Sequence, residues 1–291
     1  MKKTAITMGI IGFAMMALTA CGGGKAAETA ATTAAETAST EAAAGTQAAE
    51  TTSAAADNKG EGTVTIAAAA SLETTLTEEL IPMFQKQFPG ITVEGTYDSS
   101  GKLQTQIEEG APVDLFFSAA TKQMDALKEK GLIADGTITE LLENRIVFIV
   151  PKGEEGNYTS FEDIAKAENV ALGDPESVPV GQYAKEALTN LNLWDEVSAK
   201  TSFGTNVTEV LNWVAEGSAK AGIVYATDAA QKPDDVTVVA EAPEGSVQKA
   251  IYPIGIVKDS GNPDGAQKFA EFLQSDEAME VFVKNGFAPA K

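Results

Sequence analysis

Hydrogen-bond donors recur in this sequence at points where a strand gives way to a helix, beginning at Ser71. Residues 63–66 have the β-branched character of a short strand, and a helix with apolar residues at every fourth position follows from Leu72. Ser71 stands between them as a favourable N-cap, beside helix N–H groups that are unpaired and partly positive. Most such serines cap a helix and bind nothing, so this turn by itself does not establish an anion site.

Three further turns repeat this arrangement. Ser99-Ser100-Gly101 follows a predicted strand and opens a predicted helix. In Pro179-Val180-Gly181, the proline sets the approach to a helix and the glycine allows close passage, which exposes main-chain amides near Val180. Asn206-Val207 opens another helix with Asn206 as its predicted cap, and Tyr225 ends a predicted strand on the same side. Because open α/β sheets bind ligands at the carboxyl ends of their strands, these turns together predict one binding cleft.

The residue inventory argues against the common enzyme classes. The sequence contains no histidine, which removes Ser-His-Asp catalysis and the commonest general base and metal ligand. Ser99-x-x-Lys102 matches a short penicillin-recognising motif, but the motifs that accompany it in those enzymes are missing. The only arginine is Arg145, so the arginine grip on a carboxylate that is common in amino-acid binders is not expected in the cleft.

The order of strands and helices after residue 62 alternates, which predicts an α/β fold with two mainly parallel sheets. Two β-rich runs, 145–150 and 250–257, bracket a second strand-and-helix set and look like a hinge between two lobes. We therefore predict a first lobe made of 62–146 and 256–291 and a second lobe made of 147–255.

The N-terminal region has the layout of an export signal. Two lysines precede an apolar run, and Leu18-Thr-Ala-Cys21 ends it in a pattern that resembles the bacterial lipobox. Cys21 is the only cysteine, so it is the predicted lipidation site and no disulfide can form within the chain. Residues 22–61 lack aromatic and large aliphatic residues and are predicted to be a disordered tether. The formal net charge of −21 makes nucleic acid an unfavourable partner.

The motifs of the folded part resemble the periplasmic molybdate-binding proteins of ABC importers, over essentially all of residues 62–291. The resemblance rests on Ala-Ala-Ala-Ser-Leu at 68–72, Ser-Ser-Gly-Lys-Leu at 99–103, Gly-Ala-Pro-Val-Asp-Leu-Phe-Phe-Ser-Ala at 110–119, Gly-Asp-Pro-Glu-Ser-Val-Pro-Val-Gly-Gln-Tyr-Ala-Lys-Glu-Ala-Leu at 173–188 and Gly-Ile-Val-Tyr-Ala-Thr-Asp-Ala at 222–229. It implies the two-lobed periplasmic-binding-protein fold of type II. It also implies a binding protein and not an enzyme, with molybdate or tungstate as ligand and no cofactor. It also implies a monomer, anchored by lipid on the outer side of the membrane, that delivers the ligand to an ABC permease.

The same resemblance implies the ligand contacts. The oxyanion is expected to be bound by the hydroxyls of Ser71 and Ser100, the main-chain N–H groups of Val180 and Val207, and the phenol of Tyr225. Gly101 takes a place where some relatives have serine, so whether Ser99 or Ser100 makes the closer contact stays open. Another tetrahedral oxyanion, such as sulfate or phosphate, is the alternative ligand. A phosphate that carries a proton is best bound with a carboxylate acceptor, whereas Asp98 and Asp174 are expected to be turn residues.

Overall fold

The structure, a computed structural model, describes residues 60–290. The predicted signal peptide, with Cys21, and the predicted tether up to residue 59 lie outside the described residues. Within residues 60–290, no helix is both long enough and apolar enough to cross a membrane.

Strands and helices alternate along most of the described chain, as predicted for an α/β fold. The strands are β1 (Gly62–Ala69), β2 (Ile91–Asp98), β3 (Leu115–Phe117), β4 (Thr139–Asn144), β5 (Ile146–Pro151), β6 (Val170–Gly173), β7 (Thr201–Gly204), β8 (Ala221–Tyr225), β9 (Val236–Glu241), β10 (Ala250–Ile256) and β11 (Ala288–Pro289). The α-helices are α1 (Glu73–Thr75), α2 (Ile81–Gln87), α3 (Ser100–Glu108), α4 (Thr121–Glu129), α5 (Pro179–Asn190), α6 (Trp194–Ser198), α7 (Val207–Ala215), α8 (Ala226–Gln231), α9 (Pro263–Leu273) and α10 (Asp276–Lys284).

The strands form two sheets, and both sheets are mixed, not mainly parallel as predicted. The first has the order β11-β4-β10-β3-β1-β2 and the second β7-β6-β8-β5-β9. In the first sheet β2, β1 and β3 are parallel, whereas β10 is antiparallel to β3 and β4. In the second, β7, β6 and β8 are parallel and β5 is antiparallel to β8 and β9. The rule that predicts parallel pairing applies to strands joined by a helical crossover, but β5 and β10 are entered directly from the other sheet.

Sheet pairing also moves the predicted lobe boundaries. Arg145 joins β4 of the first sheet to β5 of the second, so Ile146 belongs to the second lobe and not to the first. Residues 250–255, which were predicted to lie in the second lobe, form most of β10 and pair with β4 and β3. By these pairings the first lobe contains 62–144 and 250–290. The predicted boundaries differ because strand partners depend on contacts between distant residues, which local β-propensity does not encode.

The apolar spacing that predicted the first helix is confirmed as a buried face. The helical run passes from a 3-10 turn (Ala70–Leu72) through α1 and a π-helical turn (Leu76–Leu80) into α2. Proline at position 82 has no N–H to donate to the carbonyl of Glu78, four residues earlier, which interrupts the regular ladder at this point. Phe84 of α2 is fully buried against Phe88, Phe269 and Phe272, so this helix and α9 share one core in the first lobe.

Candidate functional site

The four predicted turns meet at one small cavity between the two lobes. All five predicted site residues line it: Ser71 and Ser100 from the first lobe, and Val180, Val207 and Tyr225 from the second. Ala69, Ala70, Asp98, Ser99, Ala119, Val178 and Pro179 complete the wall. The space open to the centre of a water molecule is ≈ 10 Å³, the scale of a single small occupant and far below that of a sugar or a peptide.

Ser71 contributes its hydroxyl in a different way from the one predicted. It lies inside the 3-10 turn that begins at Ala70, so the N-cap of this helical run is Ala69 and the prediction of Ser71 as N-cap is wrong. The Ser71 side chain is 1% exposed, and its Oγ lies 3.0 Å from the hydroxyl of Tyr252. The helical run begins at Ala70, one residue before Ser71. The Ser71 side chain is therefore directed to a tertiary partner and not to the amides of the helix start.

Two adjacent serines at the start of α3 have different surroundings. Ser99 is the N-cap residue by position, but its side chain makes no capping bond, and its buried Oγ has no partner among the described residues. Ser100 is fully buried, and its Oγ accepts a hydrogen bond from the N–H of Ala119 at 3.0 Å. A buried hydroxyl without a partner costs about 1–3 kcal/mol, and a ligand in the cavity would remove that cost for Ser99.

Gly101 brings the lobes into direct contact beside these serines. Its N–H donates to the carbonyl of Ser177 in the second lobe at 3.0 Å. A Cβ at position 101 would lie 2.3 Å from that same carbonyl oxygen, so no larger residue fits this arrangement without a shift of the backbone. The glycine is therefore required by the close approach of the two lobes.

The second lobe presents two helix N-termini to the cavity. Pro179 is the first residue of α5 and has no N–H, so Val180 is the first residue of that helix with an amide to offer. Val207 is the first residue of α7, and Asn206 caps this helix by accepting from the N–H of Glu209 at 2.9 Å, as predicted. The unpaired amides and the helix dipoles make both ends favourable for an anion.

Tyr225 closes the cavity from the end of β8. Its side chain is 1% exposed, and its hydroxyl donates to the carbonyl oxygen of Ala119 across the cleft at 3.3 Å. Burial raises the pKa of Tyr225 well above its usual value, so the phenol keeps its proton and remains a donor. The long bond to Ala119 is one that a closer acceptor in the cavity can replace.

Charged groups near the cavity are paired with each other. Asp98 is the last residue of β2 and not a turn residue as predicted, and its Oδ1 accepts from the N–H of Ser99 at 2.7 Å and from the Lys102 ammonium at 3.1 Å. Lys102 is therefore held by a carboxylate and is not available to activate Ser99 as a base. Arg145 lies outside the cavity in an exposed pair with Glu241. Within residues 60–290, no cluster of His, Cys, Asp and Glu side chains could hold a metal ion.

This geometry suits recognition of a small anion more than catalysis. The cavity offers hydroxyl and amide donors from both lobes, and no lysine or arginine is among the residues that line it. The sequence match agrees with this, because residues 64–288 fit the family described as bacterial extracellular solute-binding proteins.

The chain belongs to this family. YvgL of Bacillus subtilis (strain 168), named as a candidate ABC transporter substrate-binding lipoprotein, is 47% identical over 231 residues, which are 79% of this chain and 88% of that protein. The molybdate-binding protein ModA of Haemophilus influenzae is 40% identical over 233 residues, or 77% of this chain and 89% of that protein. The solved substrate-binding domain of a candidate molybdenum ABC transporter from Clostridium difficile is 37% identical, with a TM-score of 0.62 over 79% of this chain and 99% of that domain. The predicted two-lobed α/β fold of a solute-binding protein is thereby confirmed.

Sequence reasoning missed residues that support the cavity without forming one of its turns. Tyr252 and Asn144 lie behind Ser71, and Ala119 bonds to both Ser100 and Tyr225. Tyr252 lies in an ordinary β-rich run, and Asn144 is the last residue of β4, a strand that is partly polar in sequence. Neither position carries a local signal, because their importance arises from pairing between β4 and β10.

Asp228 generates a prediction about the pH dependence of stability. It is buried behind Tyr225, whose N–H donates to its carboxylate at 3.1 Å, and burial raises its pKa from 3.8 to about 7. Between these values the unfolded chain has lost the proton and the folded chain keeps it, so this group makes the folded state less stable as pH rises. Asp228→Asn removes the effect. We expect the variant to gain on the wild type by up to about 4 kcal/mol between about pH 4 and about pH 7, measured by urea unfolding.

The exposed Asp234 provides the matched control, and Asp234→Asn should follow the wild-type curve at every pH. Parallel stability curves for wild type and Asp228→Asn would contradict the assignment of a raised pKa to this buried carboxyl group.

Proposed function

We propose that this chain is an extracytoplasmic solute-binding protein that captures molybdate or tungstate between its lobes and delivers it to an ABC importer. The observation that carries the proposal is the buried cavity lined by hydroxyl and amide donors from both lobes. Ser71, Ser100 and Tyr225 donate through side chains, and Val180 and Val207 donate through the main chain. The names of the molybdate-binding ModA relative and of the molybdenum transporter domain support the same ligand.

The chemistry of the ligand explains the residue types. A fully deprotonated tetrahedral oxyanion has only acceptor oxygens, so a shell composed of donors satisfies all of them. Binding is the complete task of such a protein, and no group here is needed to break or form a covalent bond. The chain crosses between the lobes at Arg145 and again before Ala250, and we take these crossings as the hinge about which the lobes open and close.

Asp98 is the one observation that favours the alternative of a protonated oxyanion such as hydrogen phosphate. Its carboxylate lies in the cavity wall and is the kind of acceptor that a ligand proton requires. Both of its oxygens are already used, because Lys102 contacts each of them and the Ser99 amide and the Asn206 side chain contact Oδ1. We therefore place phosphate and sulfate second.

Ligand selectivity is the first test of this proposal. Molybdate and tungstate have longer bonds to oxygen than sulfate and phosphate, so donors spaced for the larger ions cannot all reach the smaller ones. Each donor left unpaired costs about 1–3 kcal/mol, so two missed contacts give at least about a tenfold preference. Isothermal titration of the 62–291 fragment should show molybdate and tungstate competing stoichiometrically, while excess sulfate scarcely competes. Tight sulfate or phosphate binding without a response to molybdate would favour the alternative ligand.

The assignment of donors gives a second prediction. Ser71→Ala or Ser100→Ala removes a hydrogen bond to a charged ligand, worth about 1.5–3 kcal/mol, and should weaken molybdate binding roughly tenfold to a hundredfold. Val180→Ala is the matched control, since it keeps the main-chain amide and should weaken binding far less. An equal loss of molybdate affinity in the Val180→Ala variant would contradict the assignment of the contact to the main-chain amide. Unfolding curves of all three variants check that the fold is intact.

A lipid anchor at Cys21 is part of the proposal, and the name of the lipoprotein relative supports it. Because the predicted tether separates the anchor from the folded lobes, Cys21→Ser should move the protein from the membrane fraction to the soluble fraction without a change in molybdate affinity. Fractionation followed by titration of both forms checks this. Membrane retention of the variant equal to that of the wild type would contradict lipidation at this residue.

A further inference from the structure

A buried chain of hydrogen bonds runs from the cavity to the crossing between the lobes. The Ser71 Oγ lies 3.0 Å from the Tyr252 hydroxyl, and the Asn144 Nδ2 lies 3.2 Å from the same hydroxyl. Asn144 Nδ2 also donates to the Thr227 hydroxyl in the second lobe at 2.8 Å. All four side chains are at most 5% exposed, so water does not compete for these bonds.

The direction of each bond follows from the one group whose role is certain. The main-chain N–H of Arg145 can only donate, and it contacts the Asn144 side-chain oxygen at 2.8 Å, which identifies Oδ1 and leaves Nδ2 as the amide nitrogen. Both hydrogens of that nitrogen are then used, one on Thr227 and one on Tyr252. The Tyr252 oxygen is consequently an acceptor towards Asn144.

The remaining hydrogen of Tyr252 points to Ser71. Two hydroxyls lie beside the phenol hydrogen of Tyr252, those of Ser71 and Tyr225, whereas Asn144 offers it no acceptor. The Ser71 Oγ lies at a hydrogen-bonding distance of 3.0 Å, and the Tyr225 hydroxyl is directed to the Ala119 carbonyl as a donor. If Ser71 donated to Tyr252, the phenol hydrogen would lose its acceptor at 3.0 Å and keep only the contact with Tyr225. Tyr252 therefore donates to Ser71, and the hydroxyl hydrogen of Ser71 is left free for the cavity.

We propose that Tyr252, held by Asn144, is a positioning residue that makes the Ser71 hydroxyl a donor and so directs the site towards an oxyanion without a proton. This inference rests on the proposed function. Ser100 shows the same device with a different partner, because the Ala119 N–H can only donate and occupies its Oγ. Both serine hydroxyls thus have an oxygen engaged by the protein and a hydrogen available to the ligand.

A double-mutant cycle tests whether Tyr252 acts through Ser71. We expect Tyr252→Phe to weaken molybdate binding about tenfold in the wild-type chain and less than about threefold in the Ser71→Ala chain, because the oriented hydroxyl is already absent there. A role in packing alone would weaken binding equally in both backgrounds and would overturn the inference. Tyr158→Phe removes a phenol hydroxyl remote from the cavity and should leave binding unchanged in either background.

Anion preference supplies a readout that a general loss of structure would not move. At about pH 6 a phosphate group carries a proton, which needs an acceptor in the site. In Tyr252→Phe the Ser71 oxygen is released to accept, so the ratio of phosphate to molybdate dissociation constants should narrow by about tenfold. A proportional loss for both anions would contradict the orienting role.

Two controls separate the possible failures. If Tyr252→Phe does not give a wild-type unfolding transition, Asn144→Ala takes its place, and its effect on molybdate binding should also shrink in the Ser71→Ala background. The wild-type titration is measured with molybdate and with sulfate. If the wild type binds sulfate and not molybdate, the proposed ligand is overturned, and the double-mutant cycle of Tyr252 and Ser71 is measured with sulfate instead. If it binds neither anion, both the proposed function and this inference are overturned.

Discussion

An oxyanion enclosed between two lobes loses its water, so every one of its oxygens has to meet a donor that the protein already holds in place. Transfer of a charged group from water without such compensation is far too costly to be sustained. The cavity answers this requirement with serine hydroxyls and helix amides that are themselves buried. The arrangement of the surrounding elements follows from that need, since three of the donor segments lie at helix N-termini that the carboxyl ends of strands deliver to one place.

Closure of the lobes is what makes this set of donors complete. The Gly101 amide meets the Ser177 carbonyl, and the Gln123 side chain meets Gln182 at 3.2 Å, so the two lobes touch on both backbone and side-chain groups around the cavity. These contacts are individually modest, and each consists of polar groups that water can satisfy when the lobes separate. A bound ion that contacts both lobes adds to these contacts in the closed form only, so it shifts the balance between open and closed forms towards the closed one.

Local donors dominate over the overall charge of the protein. The chain carries a formal net charge of −21, and its single arginine lies in an exposed pair away from the cavity. Long-range repulsion from exposed carboxylates is screened by salt, whereas buried amides and hydroxyls act at contact distance in a medium of low dielectric constant. An acidic protein can for this reason hold an anion, provided that the carboxylate nearest to the site, Asp98, is neutralised by its own partners.

The sequence by itself determined the two-lobed α/β plan, the turns at Ser100, Val180 and Val207, the cap at Asn206 and the buried face of the first helix. These features depend on signals from residues that are close together in the sequence, such as apolar spacing, β-branched runs and capping residues. Only the tertiary structure decided that the sheets are mixed, that β10 belongs to the first lobe, that Ser71 is not a cap, and that Tyr252 and Asn144 stand behind it. Each of these results from contacts between residues far apart in the chain, and local propensity carries no information about which distant strand or hydroxyl becomes the partner.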